Sequence, residues 1–169
     1  MRFSSCLSAI ALTLTLSAVP AQALMITHTQ PRKMENTAFT RLGEFFGLHP
    51  VDPTRVVIFS NPKAHAGLFF EAELDAPISK IPAGSSALLE IFIKDDQAPR
   101  KFNFAIPETK PEAKSKARAL YLGLTDAPFS DMSSNKDAKS KVDILAWKIS
   151  IVDRDGKVLA SSASPMWQY

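Results

Sequence analysis

Between residues 55 and 164 apolar residues recur at every second position, in seven short runs. They are RVVIFS (55–60), GLFFEAEL (67–74), SALLEIFIK (86–94), KFNFAIP (101–107), RALYLGLT (118–125), DILAWKISIVD (143–153) and KVLASSAS (157–164). A period of two belongs to a β-strand with one buried face. In the second run Leu68, Phe70, Ala72 and Leu74 share a face, and Glu71 and Glu73 take the other. In the sixth, Leu145, Trp147, Ile149 and Ile151 align. The breaks between runs, such as SNPKAHAG, DAPISKIPAG and PETKPEAKSK, hold the Pro, Gly, Asn and Asp that turns require. No helical period separates the strands, which excludes an alternating strand–helix fold with a parallel sheet. One-sided alternation predicts antiparallel sheets, each with a wet outer face, packed as two layers.

Over about residues 55–164 this pattern resembles an immunoglobulin-like or fibronectin-like β-sandwich of about seven strands. The resemblance is one of architecture. The cysteine pair of the immunoglobulin family is absent, and the core-type Trp147 is on the sixth strand rather than an early one. It implies a fold and no function.

The chain ahead of the first strand divides in two. Residues 1–23, MRFSSCLSAIALTLTLSAVPAQA, have a positive start at Arg2, an apolar run from Leu7 to Val19 and a small-x-small end at Ala21 and Ala23. These are the parts of a bacterial secretory signal, with cleavage expected before Leu24. The run is too short for a membrane span, which needs about 20 apolar residues. Residues 24–54 are an expected N-terminal extension: a loose lead-in to residue 36, then a short amphipathic helix at about 37–46 with Phe39, Leu42, Phe45 and Phe46 on its apolar face. The sandwich domain is expected to cover residues 55–169.

Cleavage leaves 146 of the 169 residues, an ordinary single domain. Cys6 is the one cysteine, so the mature chain has no disulfide, thiolate metal site or cysteine nucleophile. Lys and Arg number 20 against 17 Asp and Glu, and loss of Arg2 brings the excess to about +2. That balance is not the footprint of a nucleic-acid binder.

Few residues suggest chemistry. Asp153 and Asp155 precede Gly156, but two carboxylates fall short of the oxygen count that calcium needs. Asp followed three residues later by Gly signals a type I turn. A three-residue hairpin with a Gly bulge would pair Asp153 with Lys157, Val152 with Val158 and Ile151 with Leu159. His28, His49 and His65 are in loops without ligand spacing, and Met25, Met34, Met132 and Met166 form no Met-rich run. A periplasmic copper-type site using these histidines and methionines is the alternative reading. No G-x-S-x-G motif or phosphate-binding glycine loop occurs. Asp95 and Asp96 are expected exposed at a hairpin tip, and Glu71 and Glu73 on a solvated face, where nothing would raise a carboxyl pKa. The lysines of 110–116 and those of 136–141 fall at opposite ends of a strand about 26 Å long, so they make no single patch. Loop 125–141 is long enough to suggest a partner site, and its Ser, Asn and Lys content equally suits disorder.

The expected protein is therefore periplasmic or extracellular, without a cofactor, catalytic residues or a span in the mature chain. It binds an unknown protein or envelope ligand, or serves a structural role, and is not an enzyme. A hydrolase with a site of unfamiliar pattern is the third reading. Neither ligand nor oligomeric state is written in the sequence.

Overall fold

The computed structural model describes residues 24–35, 55–94, 96–108, 116–132 and 142–168. Its strands are β1 (Ile26–Met34), β2 (Arg55–Phe59), β3 (Gly67–Leu74), β4 (Ser86–Ile93), β5 (Arg100–Ala105), β6 (Ala119–Thr125), β7 (Ile144–Val152) and β8 (Val158–Ala163). They form two four-stranded sheets, β1-β3-β6-β2 and β5-β4-β7-β8. The layers meet over one apolar core, to which the alternate residues Leu68, Phe70, Ala72 and Leu74 of β3 contribute, as do Leu120, Leu122 and Leu124 of β6. Facing them are Ala87, Leu89, Ile91 and Ile93 of β4 and Trp147, Ile149 and Ile151 of β7. Phe70 and Trp147 meet edge to face with ring centroids 6.1 Å apart, which places the indole between the sheets as its period predicts.

The seven expected strands are all present, and an eighth precedes them. Residues 26–34, expected as a loose lead-in, form β1 and pair antiparallel with β3. ITHTQPRKM lacks a regular apolar face because it is an edge strand in which only Ile26 is buried. Pro31 is tolerated there because its missing N–H costs no ladder bond on an outward side. The expected helix at about 37–46 lies outside the described residues. The α-helix among them is the single turn α1 (Ala127–Ser130), at the start of the long loop after β6.

The first sheet is mixed, which corrects the expectation of purely antiparallel sheets. β3 runs antiparallel to β6, whereas β2 runs parallel to it on the far side. The connection from β2 to β3 must therefore cross the C-terminal end of β6. Hydrogen bonds pin it there. Ser60 N donates to Gly123 O at 2.8 Å, and Asn61 N donates to Thr125 Oγ1 at 3.1 Å. Thr125 N donates to Ser60 Oγ at 2.9 Å, and Asn61 Nδ2 donates to Asp126 Oδ2 at 2.8 Å. Thr125 is fully buried in this network. Asp126 itself adopts φ 58°, a region that favours glycine.

Two further registers depart from expectation. Asp153 N donates to Lys157 O and Gly156 N to Asp153 O, as a turn at 153–156 requires, and Val152 pairs with Val158. Ile151, however, pairs with Ala160, because Leu159 is the extra residue of a bulge. The second correction is Leu145, expected in the core but 53% exposed. Phe92 pairs with Ala146 and Ile93 with Ile144, so Leu145 is the odd residue of another bulge and loses its place in the alternation.

Candidate functional site

The outward face of the first sheet is not simply wet. GLFFEAEL has apolar residues in both phases, and Phe69, which points away from the sandwich core, is fully buried. Its ring lies against Gly123 of β6, where an added Cβ would come within 2.3 Å of it, and Phe59 of β2 meets it edge-on at 5.8 Å. Two residues along β3 on the same face, Glu71 is also buried, at 6% exposure, which overturns the solvated-face expectation. Register explains its partners. Gln30 of β1 and Tyr121 of β6 are directly opposite Glu71 on its two sides.

Tyr121 Oη donates to Glu71 Oε1 at 2.6 Å, and Gln30 Nε2 donates to Oε2 at 2.9 Å. Arg32 Nε is 3.2 Å from the same Oε2. On the other side of Tyr121, the guanidinium of Arg55 sits 5.6 Å from the ring centroid. Burial alone would raise the carboxyl pKa of Glu71. The hydrogen bonds from Tyr121 and Gln30, and the charges of Arg32 and His28, outweigh it and hold the pKa below the ordinary value. The phenol moves the other way. Burial, the bond to Glu71 and its negative charge push the pKa of Tyr121 up against the opposing pull of Arg55 and Arg32. The proton is thus held on the tyrosine and the charge on the glutamate.

This pair forms part of the wall of an open groove of about 590 Å³, lined also by Thr27, Arg55, Glu73, Asp75 and Arg118. The groove is tied down at one end. Met25 N donates to Asp75 Oδ1 at 2.9 Å, and Arg118 Nη1 donates to Asp75 O at 3.0 Å. Chemically it offers fixed charges of both signs beside a tyrosine ring. It suits recognition of a polar or charged group. A phenol with a raised pKa and a carboxylate with a lowered one are both moved away from neutrality, the opposite of what proton transfer requires.

The residues singled out in the sequence are scattered. His28 is opposite Glu73 near the end of β3, whereas His65 precedes the start of that strand and its ring is 4.8 Å from that of Phe59. Six residues of strand separate Gly67 from Glu73, about 20 Å. His49 lies outside the described residues, as do Asp95, the lysines of 110–115 and those of 136–141. Among the described residues no three His, Cys, Asp or Glu side chains gather into a metal-holding group. Asp153 Oδ1 accepts the N–H groups of Asp155 and Lys157, each at 2.9 Å, so that carboxylate is engaged by its own turn. Asp96 binds Arg100 Nε at 2.7 Å, and this bond lowers its pKa.

Sequence reasoning missed Gln30, Arg32, Arg55 and Tyr121 and misplaced Glu71. The available signal was Phe69: a large aromatic in phase with the glutamates marks a covered outer face. The chain matches no family model, no curated protein and no solved structure.

Proposed function

We propose that this chain is exported to the bacterial cell envelope and serves there as a non-catalytic binding or structural module of immunoglobulin-like or fibronectin-like type. The observation that carries the reading is the Glu71–Tyr121 pair in the groove wall. Burial and hydrogen bonding hold the charge on the glutamate and the proton on the tyrosine, and the pair sits among guanidinium and carboxylate groups carried by the strands of one sheet and the residues that flank them. A rigid surface of fixed charges favours recognition through preorganisation, since little freedom is lost on binding. The N-terminal 23 residues supply the route to the envelope.

The test has two arms. Osmotic-shock release from a bacterial host, followed by intact mass, is expected to give a chain that begins at Leu24. Retention of residues 1–23 in a cytoplasmic fraction would end the export reading. A photoreactive side chain at Glu73, exposed on the groove rim, is expected to cross-link an envelope component, and Arg118→Glu to abolish that adduct. Equal cross-linking with and without Arg118→Glu would remove the groove from the account.

A further inference from the structure

We infer that removal of residues 1–23 completes the groove: the α-ammonium freed at Leu24 pairs with the carboxylate of Asp75 and becomes a fixed cation at one end of the groove wall. The inference rests on the proposed cleavage ahead of Leu24 and adds the place that the new terminus takes. The chain is held to within one residue of that point. Met25 N donates to Asp75 Oδ1 at 2.9 Å, and Asp75 N donates to Met25 O at 3.0 Å. Ile26 pairs with Leu74, Thr27 Oγ1 donates to Glu73 O at 3.2 Å, and the half-buried Leu24 packs against the core. A terminus ordinarily frays unless something ties it down, and here both the main chain and a carboxylate do so.

Covalent geometry puts the Leu24 nitrogen beside the same carboxylate. Three backbone bonds separate it from Met25 N, a distance of at most about 3.7 Å, so it is no more than about 6.6 Å from Asp75 Oδ1. The second oxygen, Oδ2, accepts no hydrogen bond among the described residues. Arg118 does not take it up, because its Nη1 donates to the main-chain O of Asp75. In the uncleaved chain the Leu24 nitrogen is a neutral amide. Hydrolysis of the Ala23–Leu24 bond by a leader peptidase sends the oxygen of a water to the Ala23 carboxylate and its two protons to the nitrogen. The product is an ammonium with three donors, next to an oxygen with acceptor capacity to spare.

The charges around this point favour the pairing. Among the described residues the groove wall sets Arg55 and Arg118 against Glu71, Glu73 and Asp75, two cations against three carboxylates. The new ammonium cancels that excess. His28, opposite Glu73, is the titratable group on β1 nearest the terminus. β8, which meets β1 where Thr29 Oγ1 lies 3.3 Å from Ser162 Oγ, is VLASSA and adds no charge. The register of the cut matters, because each further residue carries the nitrogen about 3.4 Å along the chain and away from Asp75.

A site-specific protease that exposes Leu24 in vitro makes the test independent of export, whose own failure shows in the intact mass of the periplasmic protein. Competitive acetylation read by mass spectrometry gives the pKa of the α-amine. It is expected to lie about half a unit or more above its value in urea, about 7.7–8.0. The rise should vanish in Asp75→Asn, which keeps an oxygen for the Met25 N–H, and shrink in a chain that retains Ala23. A raised pKa gives stabilisation that is full below the unfolded value and lost as pH rises through the folded one. Urea midpoints above about pH 7 should therefore fall more steeply with the free amine than with α-acetylated Leu24, a comparison that needs no substitution. An α-amine with the same pKa folded and in urea, or parallel midpoint curves, overturns the inference. So does a rise that survives Asp75→Asn or is equal in the chain that retains Ala23.

Discussion

Glu71 on the outward face of β3 is the residue whose replacement most directly probes the groove. Its carboxylate receives Tyr121 Oη, Gln30 Nε2 and Arg32 Nε. In Glu71→Ala the three donors fare differently. Arg32 is 51% exposed and recovers its bond from water, as does the half-buried Gln30. Tyr121 is 7% exposed, so its hydroxyl is left without an acceptor. An orphaned buried donor costs about 1–3 kcal/mol. Removing the buried Cγ methylene adds about 1 kcal/mol. A loss of about 3 kcal/mol is therefore expected in urea unfolding. In Glu71→Gln the side-chain oxygen still accepts from Tyr121, but the amide presents N–H groups to Gln30 and Arg32, and the expected loss is about 1–2 kcal/mol.

The same residue sets a pH signature. The folded-state pKa of Glu71 lies below its unfolded value, so the ionised form is the one that folding favours. Its contribution is fully present above the unfolded pKa, about 4.3, and is lost as pH falls through the folded pKa. Urea midpoints measured from neutral pH down to acid should fall more steeply in the parent than in Glu71→Gln, and the two curves should converge at the acid end. A loss below about 0.5 kcal/mol for Glu71→Ala, with parallel acid limbs, would show the carboxylate to be as well solvated unfolded as folded and refute the buried-network reading.

Other expectations follow from neighbouring contacts. Gly123→Ala forces a Cβ to within 2.3 Å of the fully buried Phe69 ring and should cost about 2 kcal/mol or more in urea unfolding; a neutral result would mean that the ring has room to retreat. Trp147→Ala should cost about 3–5 kcal/mol, whereas Leu145→Ser, at an exposed bulge, should stay within about 0.5 kcal/mol in denaturant unfolding; comparable losses from the two would put Leu145 in the core. Because Tyr121 has a raised pKa, the stability it contributes is complete below about pH 10 and lost as pH rises through the folded value. In a Tyr169→Phe chain, where Tyr121 is the remaining tyrosine, ultraviolet titration should show ionisation later than in the unfolded protein.

Much of the sandwich was legible because burial on one face writes a period of two into the sequence, and β3 was located residue for residue. What burial does not write was not legible. β1 buries only Ile26 and is held by its ladder to β3, so its side chains carry no apolar rhythm. Bulges at Leu145 and Leu159 each insert one residue, and a pattern read straight through them inverts the faces beyond. The groove was illegible for a related reason. Glu71 meets Gln30 across 41 residues and Tyr121 across 50, and neither distance has a local signature.

Strand direction is the deepest of these omissions, and the structure indicates where it is encoded. Alternation is identical for a parallel and an antiparallel strand, so RVVIF could have joined β6 in either sense. The peptide after it decides. Ser60 and Asn61 place a hydroxyl, two backbone N–H groups and an amide within reach of Gly123, Thr125 and Asp126, and those bonds form when β2 and β6 end together, as the parallel sense requires. Reversed, β2 would carry Ser60 and Asn61 to the opposite end of β6, and the buried Thr125 hydroxyl and the Thr125 N–H would lose their partners, each at about 1–3 kcal/mol. A parallel pair is slightly weaker per residue than an antiparallel one, and over the five residues of β2 that deficit is smaller than the penalty for orphaning those groups. The direction of β2 is thus set by polar side chains in a loop rather than by the apolar residues of the strand itself.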